Sequence, residues 1–197
     1  YIVLEYCPGG TIGDFLRRSE KGYLTEAQTR KVLQDVIRAL VYLHHKHIIH
    51  RDIKLENFMI GFDGNVKLAD FGISAILKHE DEKRFSICGT PNYISPELLQ
   101  KVNKGHSYEV DIWAIGVAAF HMLTGRPPFE GMKKQITFEN IRSCEYHFPN
   151  NIVISGSARD FIRTILRIDP ERRPTAIDIS GHSFLTTFST EIVKLYQ

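Results

Sequence analysis

Two short polar runs near the middle of this chain constrain its fold and its chemistry more than any other feature. Residues 50–57 read H-R-D-I-K-L-E-N and residues 70–72 read D-F-G. Between them lie two apolar, β-branched stretches joined through Asp63-Gly64, a pattern typical of a tight β-hairpin. The two ends of a hairpin are neighbours in space, so we expect Asn57 and Asp70 to lie close together. Their oxygens are the ligand type that a hard cation prefers.

The rest of the chain is predicted to be mainly helical. Capping residues and helical period predict helices at five places: 11–16, a long helix after Thr25, 109–123, a helix capped by Ser157 and one that begins at Pro174-Thr175. Short strands are expected at 2–6, 58–60 and 66–68, whereas 73–95 shows neither period and should be a solvated loop. The expected fold class is therefore α+β, mainly α-helical with short β-hairpins.

Composition argues against several classes of function. The net charge is +2, from 25 basic and 23 acidic side chains, which is too small to favour a nucleic acid or a membrane surface as partner. The longest apolar stretch, 112–120, is far short of the ~20 residues that span a bilayer. Cys7, Cys88 and Cys144 have no paired spacing, so we expect free thiols in a reducing compartment.

Further motifs follow in a fixed order, and together they resemble the protein kinases. The two polar runs match the catalytic loop and the D-F-G metal loop of that family. Four later motifs keep the family order: Gly89-Thr90-Pro91, Ser95-Pro96-Glu97, Asp111-x-Trp113-x-x-Gly116 and Asp169-Pro170-x-x-Arg173-Pro174. The resemblance implies a protein-kinase-like fold with a mainly helical C-terminal lobe.

The resemblance also implies catalytic roles. In protein kinases the loop aspartate, here Asp52, holds the acceptor hydroxyl as a base. The lysine two residues on, here Lys54, neutralises charge on the transferring phosphate. Asn57 and Asp70 match the ligands of Mg²⁺, which bridges the phosphates of ATP. The implied reaction is transfer of the ATP γ-phosphate to a protein hydroxyl.

The implied nucleotide site extends to the start of the chain. The Glu5 carbonyl and the Cys7 amide would hydrogen-bond the adenine through backbone atoms. Leu4 would stand at the gatekeeper position, and Met59 would lie under the adenine ring. The expected nucleotide-binding set also includes four polar residues of the two runs: Lys54, Glu56, Asn57 and Asp70.

Regulatory and structural roles are implied in the same way. Ser86 stands where related kinases carry an activating phosphorylation site, and its phosphate would pair with Arg51. Thr90 would hydrogen-bond the catalytic loop. Structural roles are expected for three residues of the later motifs, Glu97, Asp111 and Arg173, with a buried salt bridge between the first and the last.

Two longer stretches resemble the polo-like kinases in particular. Residues 88–97 read C-G-T-P-N-Y-I-S-P-E and residues 105–113 read G-H-S-Y-E-V-D-I-W. Lys54 and Thr90 are typical of kinases that act on serine and threonine. The resemblance implies protein substrates, an upstream activating kinase and a role in the cell cycle. The expected location is the cytoplasm, with the nucleus, the centrosome or the spindle as further sites.

Departures from the polo-like pattern leave alternatives open. Glu56 replaces a small residue, and basophilic kinases use a glutamate there to bind a substrate arginine. His121, however, stands where those kinases have a second acid. A calcium- or AMP-regulated type of serine/threonine kinase is the rival family. The rival functions are a pseudokinase scaffold and an inactive truncated kinase.

The chain shows only part of the expected nucleotide site. Neither a G-x-G-x-x-G loop nor a V-A-I-K strand precedes the catalytic loop. We therefore expect an incomplete kinase domain without its N-terminal lobe, inactive on its own. Its parts would be a hinge region (1–10), a C-terminal lobe (11–185) and a C-terminal extension (186–197).

Overall fold

The structure is a computed structural model that describes residues 1–100 and 104–187. Its helices, in chain order, are α1 (Ile12–Arg18), α2 (Glu26–His45), α3 (Glu109–Thr124), α4 (Lys134–Ser143), α5 (Gly156–Ile165), α6 (Ala176–Ser180) and α7 (Ser183–Thr186). Its strands are β1 (Ile48–Ile49), β2 (Phe58–Ile60), β3 (Val66–Leu68) and β4 (Ala75–Ile76). Short 3₁₀ turns occupy Leu55–Asn57, Pro96–Leu99 and Pro170–Arg172. The expected α+β class, mainly helical with short hairpins, is confirmed.

Residues 188–197, most of the predicted C-terminal extension, lie outside the described residues, so the extension stays a prediction. Of the helices that the structure describes, none is long and apolar enough to cross a membrane.

Local capping explains where the first two helices begin. Thr11 caps α1 and Thr25 caps α2, and in both cases the side chain accepts a hydrogen bond from the amide three residues on. The side chains of Asp14 and Gln28 return the bond to the cap amide, which completes a capping box. Both helix starts are confirmed: that of α2 was predicted from the capping-box spacing, and that of α1 from Thr11 as a cap with Asp14 in the first turn.

The cap of α5 corrects a prediction. The helix is capped by Ser155 and not by Ser157, which lies inside its first turn. The Ser155 hydroxyl accepts from the Ala158 amide and donates to the Glu26 carboxylate at 2.9 Å. Because Glu26 lies at the start of α2, a contact from a distant part of the chain selects between two serines that look alike in sequence.

Helix α3 forms the centre of the core. It is buried nearly all round and packs against α2 and α5. Trp113 is fully buried and stacks on Phe129 with ring centroids 5.3 Å apart. Gly116 lets α5 approach closely, because a Cβ there would lie 2.6 Å from Cγ2 of Ile165. The predicted buried helix is confirmed.

Two small antiparallel sheets lie beside this helical core. Strands β2 and β3 form the predicted hairpin, with Met59 opposite Lys67. Strand β1 pairs with β4, which was not predicted and which anchors the start of the loop that follows. The predicted strand at 2–6 is wrong: these residues are exposed and have no strand structure. A strand exists only through hydrogen bonds to a neighbour, and no described residue supplies that neighbour.

Candidate active site

Asp52 lies at the centre of a hydrogen-bonded cluster. Its Oδ2 accepts from Nζ of Lys54 at 2.6 Å, and its Oδ1 accepts from the Thr90 hydroxyl at 2.8 Å. Nδ2 of Asn57 donates to the Asp52 main-chain oxygen at 2.7 Å and reaches Oδ2 at 3.3 Å. The structure therefore brings four of the predicted site residues into one contact set.

Thr90 connects two separate parts of the chain at this cluster. Besides donating to Asp52, its hydroxyl accepts from Nζ of Lys54 at 3.2 Å. Thr90 lies 38 residues after Asp52 in the chain, at the end of the loop that follows β4. Thr90 therefore attaches the end of the loop after β4 to the catalytic loop.

The cluster sets the protonation state of Asp52. Partial burial alone would raise the pKa of this carboxyl, but hydrogen bonds from Lys54 and Thr90 act in the opposite direction and outweigh it. The pKa of Asp52 is therefore lowered, and the group is an anion at neutral pH. It can accept a hydrogen bond from an incoming hydroxyl but is a weak base.

Asn57 precedes the first strand of the hairpin and Asp70 follows the second, so the two residues lie at the same open end of the hairpin, as predicted. The amide of Ala69 donates to the main-chain oxygen of Asn57 at 2.9 Å, so Asp70 is one residue beyond a direct contact. Asp70 is exposed and has a φ of 66°, and its Oδ1 accepts from the Gly72 amide at 3.1 Å. The predicted proximity of Asn57 and Asp70 is confirmed at the level of the backbone.

The donor set fits a magnesium ion that brings further ligands with it. Nδ2 of Asn57 is turned toward Asp52, which leaves its Oδ1 for a cation, and Asp70 contributes an exposed carboxylate. Among the described residues, no group of three or more His, Cys, Asp or Glu side chains could hold a metal ion. Two protein oxygens completed by phosphate and water are a typical arrangement for Mg²⁺.

The catalytic loop is attached to α3 through Asp111. Oδ2 of this fully buried carboxylate accepts from the His50 amide at 2.9 Å, and Oδ1 accepts from the Arg51 amide at 2.8 Å. Nε2 of His44, at the end of α2, lies 3.0 Å from the same Oδ2. Arg51 has a φ of 68°, an unfavourable value for a residue with a side chain, and these bonds hold it there.

The Arg51 side chain extends toward the loop after β4. Its Nε donates to the Ile73 carbonyl at 2.6 Å, and its Nη1 donates to the Ser86 hydroxyl at 2.8 Å. Ser86 itself is exposed. The predicted partners Arg51 and Ser86 are thus in contact without a phosphate.

The predicted salt bridge between Glu97 and Arg173 is present. The two terminal guanidinium nitrogens of Arg173, Nη1 and Nη2, donate to the Glu97 carboxylate at 2.8 and 2.7 Å, and the Arg173 side chain is fully buried. Nη1 also donates to the Glu109 carbonyl at 2.9 Å, and the guanidinium lies 4.9 Å from the centre of the Trp113 ring. The pair joins the Pro96–Leu99 turn to the start of α3.

The residues expected at the adenine are less enclosed. Glu5 is exposed and pairs with Lys67 at 3.0 Å, and the Cys7 carbonyl accepts from the Gly10 amide. Met59 is partly buried in β2, where it also bridges to Thr11. These positions are compatible with backbone recognition of a base, and that role stays a prediction.

The Glu56 carboxylate is not part of the Asp52 cluster. Its Oε1 lies over α1, 3.3 Å from where a Cβ on Gly13 would be. Glu56 is exposed, although Leu55 and Asn57 on either side are buried. The nucleotide-binding role predicted for this side chain stays a prediction.

Two histidines of the site had no role in the sequence analysis. His50 accepts from the Asp52 amide through Nδ1 at 3.3 Å and donates from Nε2 to the Ala69 carbonyl at 3.0 Å. It therefore links the catalytic loop to the residue before Asp70. His44 contacts Asp111, as described above. The signal for His50 was its place in the polar run, whereas His44 has no local pattern that reveals its partner.

Comparison with known proteins decides the family. The family described as "Protein kinase domain" matches residues 1–185. The chain belongs to the protein kinase family. This agrees with the order of motifs and with the contacts of Asp52, Asn57 and Arg173 described above.

Similar curated kinases are mostly polo-like by name. The chain is 40% identical over 193 residues to the cell cycle serine/threonine-protein kinase CDC5/MSD2 of Saccharomyces cerevisiae. It is 41% identical over 184 residues to the serine/threonine-protein kinase PLK2 of Mus musculus, and 39% identical over 185 residues to the serine/threonine-protein kinase polo of Drosophila melanogaster. These alignments cover 98%, 93% and 94% of the chain but only 27%, 26% and 31% of the relatives. The resemblance to polo-like kinases is confirmed, and the chain spans about a third of these proteins or less.

The buried salt bridge predicts a sharp difference between two adjacent arginines. Replacing Arg173 with methionine leaves Glu97 as an unpaired buried charge, so we expect a loss of about 3–5 kcal/mol in the free energy of unfolding. Arg172→Met is the matched control, because Arg172 is 75% exposed in its pair with Asp169 and should change stability by at most about 1 kcal/mol. Urea unfolding of the two variants measures both values. Equal losses would show that the Glu97 pair is not a main support of the fold.

Proposed function

We propose that the protein is a serine/threonine kinase of the polo-like type, which transfers the γ-phosphate of ATP to protein hydroxyls. The observation that carries this proposal is the Asp52 cluster, where a carboxylate is held by Lys54 and Thr90 at 2.6 and 2.8 Å. Phosphoryl transfer requires this combination of an oriented acceptor and a nearby cation. The four polar residues that match the catalytic and metal loops of kinases, Asp52, Lys54, Asn57 and Asp70, are all present, which favours an enzyme over a pseudokinase scaffold.

The geometry supports a division of labour among these residues. The ionised Asp52 would accept a hydrogen bond from the substrate hydroxyl and orient its lone pair toward the phosphate. Because its pKa is lowered, it would take up the proton only as the bond to phosphorus forms. Lys54 lies within hydrogen-bond distance of both Asp52 and Thr90, where its charge can stabilise the phosphoryl group.

Asn57 and Asp70 would hold Mg²⁺ through their free oxygens. The ion would neutralise charge on the ATP phosphates when it is bound. Two of the residues expected at the adenine contact or belong to the hairpin, because Met59 is in β2 and Glu5 pairs with Lys67 of β3. Thr11 bridges to Met59, which ties the hairpin to α1.

The function is tested by phosphate transfer to casein, with the full-length protein that carries this chain. Asp52→Asn should reduce transfer by about 10²- to 10⁴-fold, because the amide cannot accept the proton. Asp160→Asn is the matched control, since Asp160 is 70% exposed on α5 and should leave transfer unchanged. Transfer that survives Asp52→Asn would contradict the assigned base. No transfer by well-folded protein, also after treatment with an activating kinase, would favour the scaffold.

Thr90 provides a test of the cluster itself. Thr90→Val removes a hydrogen bond to an ionised carboxylate, worth roughly 1.5–3 kcal/mol, so kcat should fall by about tenfold to a hundredfold. KM for ATP should change little, because Thr90 contacts Asp52, which would hold the acceptor hydroxyl and not the nucleotide. Thr90→Ser keeps the hydroxyl and should retain most of the activity. If the serine variant loses as much as the valine variant, the hydroxyl is not the operative group.

We further propose a role in cell-cycle control, in the cytoplasm and nucleus and at the centrosome or spindle. Support comes from the names of the relatives, one of which is called a cell cycle kinase. These names also favour the polo-like type over a calcium- or AMP-regulated kinase.

The contact of Arg51 with Ser86 supports regulation by phosphorylation at Ser86. Fluorescently tagged protein should concentrate at centrosomes or spindles in mitosis, and a uniform distribution throughout the cell cycle would contradict that location.

A further inference from the structure

A two-hydrogen-bond bridge joins the loop after β4 to the segment before α3. The Arg84 amide donates to the His106 carbonyl and the His106 amide donates to the Arg84 carbonyl, both at 2.8 Å. Nζ of Lys83 lies 3.1 Å from Oε1 of Glu109, and the Ser107 amide donates to the same oxygen at 3.0 Å. The loop is therefore attached to this segment by its backbone and by an ion pair.

The segment that receives the loop is largely buried. His106 is fully buried, and neither of its ring nitrogens has a hydrogen-bond partner among the described residues. Buried unpaired nitrogens cost stability, so the packing around the ring has to offset that cost. Ser107 is also buried, and Glu109 belongs to the first turn of α3. The loop after β4 therefore pairs with a part of the chain that is itself buried in the core.

Gly105 makes the close approach possible. Its φ is +81°, in the region that favours glycine. A Cβ at this position would lie 2.6 Å from Cβ of Lys83 and 3.1 Å from Cε1 of Phe85. Any other residue would push the loop away as well as strain the backbone.

Two residues beyond the bridge, Ser86 accepts a hydrogen bond from Nη1 of Arg51 at 2.8 Å. Four residues further, Thr90 donates to Asp52. The bridge thus lies between the β1–β4 pair, which anchors the start of the loop, and Thr90, which anchors its end.

We propose that Gly105 and His106 are positioning residues for the phosphoryl transfer reaction. They form a clamp with Arg84 that places Ser86 against Arg51 before any phosphate is attached. The loop of this protein is then ordered in its unmodified state, and phosphorylation adds charge to an existing contact. The proposal rests on the proposed kinase function for its catalytic consequence, but the clamp itself is a structural property.

The test uses the full-length protein in its dephosphorylated form and measures tryptic cleavage after Arg84. Cleavage requires local opening of the loop, so its rate reports the population of the open state. Gly105→Ala should raise the rate by about tenfold or more through strain and overlap with Lys83. Gly22→Ala is the matched control, because its φ is +68° but nothing lies within 4 Å of the added Cβ. It should leave the rate unchanged.

A milder variant keeps the proposal testable if Gly105→Ala fails to fold. Glu109→Gln retains an acceptor for the Ser107 amide and removes the charge that pairs with Lys83. The pair is partly exposed, with Lys83 at 44% and Glu109 at 16%, and a contribution of about 0.2–1 kcal/mol corresponds to at most about fivefold faster cleavage. If neither variant cleaves faster than the unmodified protein, the clamp is wrong.

Activity measured on the same samples separates the two proposals. With a clamp and a kinase, Gly105→Ala should lower kcat of the dephosphorylated enzyme while KM for ATP changes little. Faster cleavage with no transfer by any sample, including the unmodified protein after treatment with an activating kinase, would retain the clamp and contradict the kinase function. Active enzyme whose loop cleavage is insensitive to Gly105→Ala would support the kinase function and contradict the clamp.

Discussion

The whole site depends on one buried carboxylate, that of Asp111. It accepts hydrogen bonds from two successive amides, those of His50 and Arg51, and it is fixed in a helix that forms the centre of the core. A charged acceptor makes such bonds stronger than ordinary backbone bonds. They hold Arg51 in a conformation that costs of order 1–3 kcal/mol on its own. Because Asp52 is the next residue, its direction is set by this attachment.

The second level of organisation is electrostatic. Asp52, Lys54 and Thr90 form a closed set in which each polar atom has a partner. A half-buried carboxylate without these partners would become easier to protonate, and a lysine without an anion would be driven toward solvent. The set therefore keeps both charges in place while no substrate is bound. A substrate hydroxyl would enter a field that is already arranged, which lowers the cost of reorganisation.

Features set by nearby residues could be predicted from the sequence, and features set by distant partners could not. The capping boxes at Thr11 and Thr25 use residues three apart, and the hairpin depends on Asp63-Gly64. The choice of Ser155 as a cap depends on Glu26, which is 129 residues away. The strand expected at 2–6 had the right residues, but the part of the chain that the structure describes provides no strand beside it. In the site, the motifs identified Asp52, Asn57 and Asp70, but no pattern predicted the Arg84–His106 bridge.

The first turn of α3 is where the separate parts of the site are joined. Asp111 holds the catalytic loop, the Glu109 carboxylate pairs with Lys83 of the loop after β4, and the Glu109 carbonyl accepts from Arg173. Three elements that are far apart in sequence therefore take their position from one helical turn. Because residues within such a network couple, disturbances at Glu109 and Asp111 should not act independently. A buried helix is a suitable support for this purpose, because its close-packed side chains fix its position and therefore the positions of the polar groups at its end.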